Sequence, residues 1–142
     1  MDGLIVMSAM TAKIFLDTNI ALYTMGQDDR KKLIARELVA RLPFVSAQVV
    51  NECVNVCLRK FGFGRERAYA FADLLMQKTN VLPVDELVIR KSADVAMRFQ
   101  FSNWGALIIA AALLADCGTL YSEDMQHGQE IEGRLRIVNP FV

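Results

Sequence analysis

The chain has 142 residues, 54% of them hydrophobic and 23% charged. That is the size of one domain with ample apolar material for a core, which excludes a two-domain enzyme and global disorder. Sixteen basic residues balance sixteen acidic ones for a formal net charge of 0, so any nucleic acid or anionic surface must be met by a local patch.

Residues 1–11 lack a basic segment followed by an apolar one, and they hold extra methionines at Met7 and Met10. They read as an alternative start or an extension, which leaves a single domain over residues 12–142. Ile14, Phe15 and Leu16 form a short apolar run that stops at Asp17, Thr18 and Asn19, the pattern of a buried strand delivering polar groups at its carboxyl end before a helix. Asp28 and its neighbours cap a predicted helix over Arg30–Ala40, with Leu33, Ile34, Leu38 and Val39 at helical spacing. After Pro43, residues Phe44–Ser46 read as a second strand and Gln48–Lys60 as a helix stopped by Gly62 and Gly64.

Arg65–Lys78 is a further amphipathic helix, and Val81–Leu82 a short third strand. A helix over Asp85–Gln100 follows, with Leu87, Ile89, Ala93, Val95, Ala96 and Phe99 as its apolar residues. Trp104–Ala115 is hydrophobic almost all round and therefore central, and Gly118 is expected to end it. Thr119–Tyr121 reads as a fourth strand and Leu135–Val138 as a fifth. Strands separated by helices of this length imply right-handed crossovers and a three-layer α/β/α domain with a mainly parallel sheet. In such sheets ligands gather at the carboxyl ends of the strands.

Cys53, Cys57 and Cys117 are three cysteines in apolar surroundings, which fits buried thiols in a reducing cytoplasm better than disulfides or zinc. The apolar run Ala106–Ala115 is too short to span a bilayer. Charge is polarised along the chain. Residues 30–67 hold nine bases against three acids, and residues 85–132 hold eight acids against three bases. The bland account is solvated helix faces; the functional one is a basic half for a polyanion and an acidic half for a cation.

Three carboxylates stand where this architecture brings strand ends together: Asp17 after the first strand, Glu52 in the helix after the second, and Asp124 just after the fourth. Singly they pass for a helix cap, a surface charge and a polar turn. Together they repel one another unless a cation intervenes, and oxygen-only ligands suit Mg²⁺, with Mn²⁺ as an alternative.

The segments Ile14-Phe15-Leu16-Asp17-Thr18-Asn19-Ile20, Asn51-Glu52, Trp104-Gly105-Ala106-Leu107-Ile108-Ile109-Ala110-Ala111-Ala112 and Ser122-Glu123-Asp124-Met125, in that order, resemble a PIN-domain ribonuclease. Within that superfamily they are similar to the VapC-type toxins of bacterial toxin–antitoxin pairs. The resemblance implies a metal-dependent endoribonuclease, usually dimeric, neutralised by a cognate antitoxin. Asp17, Glu52 and Asp124 match three of the family's four acidic positions. At the fourth, where the pattern has Asp after the Trp, this chain has Gly105. Two further readings stand beside the nuclease: a non-catalytic PIN-like module that binds antitoxin or RNA, and a receiver-like signalling domain, which lacks its expected strand-end lysine here.

Overall fold

A computed structural model describes residues 12–142; the expected N-terminal extension lies outside them. Strand β1 (Ile14–Leu16) leads into α1 (Thr18–Tyr23) and α2 (Asp29–Val39), and β2 (Phe44–Ser46) into α3 (Ala47–Arg59) and α4 (Arg65–Lys78). Next come β3 (Asn80–Leu82), α5 (Glu86–Phe99), α6 (Asn103–Leu114), β4 (Thr119–Tyr121), β5 (Glu130–Ile131) and β6 (Leu135–Val138). The sheet order is β3-β2-β1-β4-β6-β5, parallel throughout except for β5, which pairs antiparallel with β6. The chain is thus a mainly parallel sheet flanked by helices, as expected from the sequence.

Strand order runs outward from β1 to β2 and β3, then returns to β4 on the other side of β1. Right-handed crossovers therefore place α1–α4 on one face and α5 and α6 on the other. The reversal falls between β1 and β4, the position at which an open parallel sheet splays its connections and forms a crevice. Ile14, Phe15 and Leu16 are all buried, because a central strand covered on both faces has no solvent side. Helix α6 is buried from Gly105 through Leu113 apart from half-buried Leu107, which fits its lack of a polar face.

Helix starts follow the sequence closely. Asp28 caps α2 by accepting from the Lys31 amide at 3.1 Å, Ser46 caps α3 through Val49 at 3.2 Å, and Asp85 caps α5 through Val88 at 3.1 Å. Three expectations need correction. The stop of α6 is left-handed Asp116 rather than Gly118, a conformation that Asp tolerates better than most residues. Strand β5 was not foreseen, since two residues carry no detectable alternation. Leu87, Ile89 and Ala93 of α5 are exposed, and Val88 and Val95 face the core instead. On α2, Leu38 and Val39 are buried while Leu33 is 62% exposed and Ile34 half-buried, so the apolar face read from the spacing is only partly covered.

Four of the eight acids in residues 85–132, Glu86, Asp94, Glu123 and Glu132, are in ion pairs. Glu132, in left-handed backbone at the β5–β6 turn, meets Lys91, Arg98 and Arg134, and Asp94 meets Arg98 and Lys91. That network ties the hairpin to α5. The three cysteines are free and buried, and burial pushes the Cys53 thiol well above its ordinary range, as expected of inert thiols. No helix among the described residues is long and apolar enough to cross a membrane.

Candidate active site

A cleft of about 680 Å³ opens at the carboxyl ends of β1 and β4, and Asp17, Glu52, Gly105 and Asp124 all line it. Four segments far apart in sequence deliver these positions. Asp17 follows β1 and caps α1; its Oδ1 accepts from the Thr18 amide at 2.7 Å, and its Oδ2 from the Ser122 hydroxyl at 2.8 Å. The Asp17 amide donates to the Tyr121 carbonyl at 3.0 Å, stitching β1 to β4 where the cleft begins. Both carboxylate oxygens are therefore oriented, and each keeps acceptor capacity toward the cleft.

Asp124 is exposed and held by the Asn19 side-chain amide of α1. Its neighbour Glu123 turns the other way, onto the Tyr23 hydroxyl and the Lys31 ammonium. The turn after β4 thus sorts two adjacent acids: Glu123 anchors the turn to α1 and α2, and Asp124 is presented to the cleft. Glu52 projects half-buried from α3 beside the buried Cys53, the rim position expected from its place at the edge of the apolar stripe.

Burial raises the Asp17 carboxyl above its ordinary 3.8; the hydrogen bonds from Ser122 and Thr18 oppose this, and the Asp124 charge adds to it. The sign for stability follows. With a raised folded-state value the native state holds the proton to higher pH than the unfolded chain does, so stability is full at low pH and falls as pH rises through the folded value. In chelator, Asp17→Asn is expected to raise the denaturation midpoint at pH 7 and leave it unchanged at pH 3. A pH-independent change in urea titrations would contradict this account.

Among the described residues none of Asp17, Glu52 and Asp124 lies in an ion pair. Among the same residues no three His, Cys, Asp or Glu side chains stand close enough to form a ready-made metal-binding group. The carboxylates therefore share a cleft without closing on one point. The donor set fits a hard divalent cation that retains much of its water and takes one or two carboxylates directly. A second observation supports that fit: the Thr18 hydroxyl, on a residue only 6% exposed and lining the same cleft, has no hydrogen-bond partner.

Gly105 is the third residue of α6, and its amide donates to the Ser102 cap at 3.1 Å. A Cβ built there meets Met125 Cε at 3.4 Å, Ser102 Oγ at 3.5 Å and Phe101 Cδ1 at 3.9 Å, all ordinary contacts, and its φ lies outside the left-handed range. Neither close packing nor backbone conformation requires glycine there. Sequence reasoning missed the supporting roles of Thr18, Asn19 and Ser122. Their signal was present, since all three sit beside a strand-end acid, but which hydroxyl or amide faces which carboxylate depends on tertiary placement.

This crevice, at the reversal of a five-stranded parallel sheet extended by one antiparallel strand, is that of a known class. The PIN domain family profile matches residues 14–128, and the chain belongs to the PIN-domain family. Its fold is shared with solved structures of toxin–antitoxin proteins. Mycobacterium tuberculosis VapC20, described as a sarcin-ricin loop cleaving toxin, superposes with a TM-score of 0.65 at 19% identity, over 79% of this chain and 90% of that one. FitAcB from Neisseria gonorrhoeae gives 0.65 at 18%, over 90% and 98%. VapBC-1 from nontypeable Haemophilus influenzae gives 0.59 at 25%, over 78% and 86%. No curated protein matches the sequence.

Proposed function

We propose that the chain is an endoribonuclease toxin of a toxin–antitoxin pair, dependent on Mg²⁺ or Mn²⁺ and impaired by glycine at position 105. The observation that carries this reading is that three carboxylates without ion-pair partners, Asp17, Glu52 and Asp124, line with Gly105 one cleft at the sheet's topological reversal. When bound, the cation supplies positive charge against the phosphodiester and activates water. Asp17, oriented by Ser122 and Thr18, is the fixed holder of the site; Asp124, steadied by Asn19, and Glu52 complete the negative rim.

The cognate antitoxin is the protein partner in this reading, and a homodimer in the cytoplasm is the working form. A second, more apolar cleft of about 620 Å³ suits an antitoxin helix. It is bounded by Val39, Leu42, Phe71, Leu74 and Leu75, between α2 and α4. The alternative, a non-catalytic module that binds antitoxin or RNA, is favoured by Gly105 itself. Incubating the chain with mixed RNA in Mg²⁺, Mn²⁺ or chelator tests the reading. Slow cleavage that chelator and Asp17→Asn each abolish is expected; metal-independent cleavage indifferent to Asp17 would overturn it.

A further inference from the structure

The cleft has two walls that the carboxylates do not explain. Trp104, in the first turn of α6 next to Gly105, lines it and is 46% exposed. A half-exposed indole in a recess is a large apolar face without a protein partner, and its backbone carbonyl is tethered by the Gln48 amide at 3.4 Å. Lys60, at the end of α3, also lines the cleft. Among the described residues Lys60 has no acidic partner, and neither have Arg59, Arg65 and Arg67 of the segment that continues from it.

That segment, Arg59-Lys60-Phe61-Gly62-Phe63-Gly64-Arg65-Glu66-Arg67, alternates cations with aromatics. Phe61 is 45% exposed, its ring lies 5.8 Å from that of Phe63, and the Arg67 guanidinium sits 3.8 Å over the Phe63 ring. Cations following a backbone beside aromatic platforms that take bases are the composition of single-strand surfaces. Resting on the ribonuclease reading, we propose that the cleft grips an unpaired nucleotide of single-stranded RNA, whose base stacks on Trp104 while a neighbouring phosphate lies against Lys60. The α3–α4 segment carries the strand onward.

The chemistry of the cleft selects this arrangement. Its carboxylates repel phosphate, so the backbone is favoured on the wall where an unpaired ammonium stands. A base can face an indole only when it has left its own stack, and a paired A-form duplex keeps its bases stacked inside. The same geometry leaves recognition independent of cutting, since neither Trp104 nor Lys60 needs the carboxylate that Gly105 replaces.

Trp104 is the sole tryptophan, so emission excited at the red edge, where Tyr23, Tyr69 and Tyr121 do not absorb, reports on this wall alone. The test titrates the protein, in chelator so that nothing is cut, with a short single-stranded RNA and with the same strand in a duplex. Emission is followed on unlabelled RNA and anisotropy on labelled RNA. Single strands are expected to quench Trp104 emission and duplex to leave it nearly unchanged. Trp104→Ala is expected to weaken single-strand affinity about 5- to 150-fold, with Trp104→Phe recovering part of the loss. Lys60→Ala is expected to lower the slope of log affinity against log salt by about 0.7 while Trp104→Ala leaves that slope unchanged. RNA binding by anisotropy with unchanged emission and normal affinity in Trp104→Ala would overturn this inference and leave the nuclease reading standing, as would equal quenching by duplex. Absence of binding to any RNA in chelator, with circular dichroism showing folded protein, would overturn this inference, and the nuclease reading would then rest on the cleavage assay in Mg²⁺ and Mn²⁺.

Discussion

Gly105→Asp is expected to raise RNA cleavage in Mg²⁺ by about a hundredfold or more. The figure is that of restoring one electrostatic group at a phosphoryl-transfer site, about 3 to 4 kcal/mol of transition-state stabilisation. Position 105 accepts the side chain: its Cβ would sit at ordinary contact distances, the nearest neighbour being the flexible end of Met125. An acid at the third residue of α6 also faces the positive end of the helix beside its Ser102 cap, a favourable place for a negative charge. The added carboxylate joins Asp17, Glu52 and Asp124 in one cleft, so it adds repulsion when no cation is present. The variant should therefore melt below the parent in chelator and gain more than the parent from Mg²⁺, because a ligand that binds only the native state stabilises it in proportion to its affinity. Calorimetry in chelator and in Mg²⁺ reads this separately from activity. A folded Gly105→Asp protein that shows no larger Mg²⁺ shift and stays inactive on varied RNA would end the account of a replaced ligand.

The parts of this fold legible in the sequence are those set by local pattern. The Ile14–Leu16 run ending at Asp17, the caps Asp28 and Asp85, and the all-apolar α6 each follow from nearest neighbours along the chain, and the structure places them within a residue or two. What was not legible depends on contacts between elements. Leu87 and Ile89 look like core residues by composition, yet α5 turns Val88 and Val95 inward and leaves them in water. The sequence singles out Asp124 but does not show what becomes of Glu123; the approach of Tyr23 and Lys31 from α1 and α2 claims Glu123 and leaves Asp124 to the cleft. The ends of strands could be read, but the partners of their side chains could not. The acidic half expected to hold a cation shows the same lesson: Glu132 and Asp94 are spent on Lys91 and Arg98, and of its acids only Asp124 lines the cleft.

The second large effect is expected at Phe15, whose side chain lies under the site rather than in it. β1 is flanked by β2 and β4, with Phe15 in register with Phe44 on one side and Leu120 on the other, and its side chain is fully buried. Asp17 follows two residues later in extended backbone, so the two side chains leave the strand on the same side. Phe15→Ala removes a ring from the middle of the core and leaves a cavity that a parallel sheet packed on both faces closes poorly. The expected cost is about 3 to 5 kcal/mol, a fifth or more of the roughly 5 to 15 kcal/mol that holds a typical domain folded. In urea the midpoint should fall with the slope unchanged, the signature of lost stability without a change in exposed surface. Phe15→Leu, which keeps most of the volume, should cost less than about 1.5 kcal/mol. Because Asp17 is held by Ser122 across the β1–β4 seam, loosening β1 should also shrink the Mg²⁺-dependent rise in melting temperature, which Phe15→Leu should retain. A Phe15→Ala protein as stable as the parent would mean that β1 is not the centre of the core, and the placement of Asp17 would lose its physical basis.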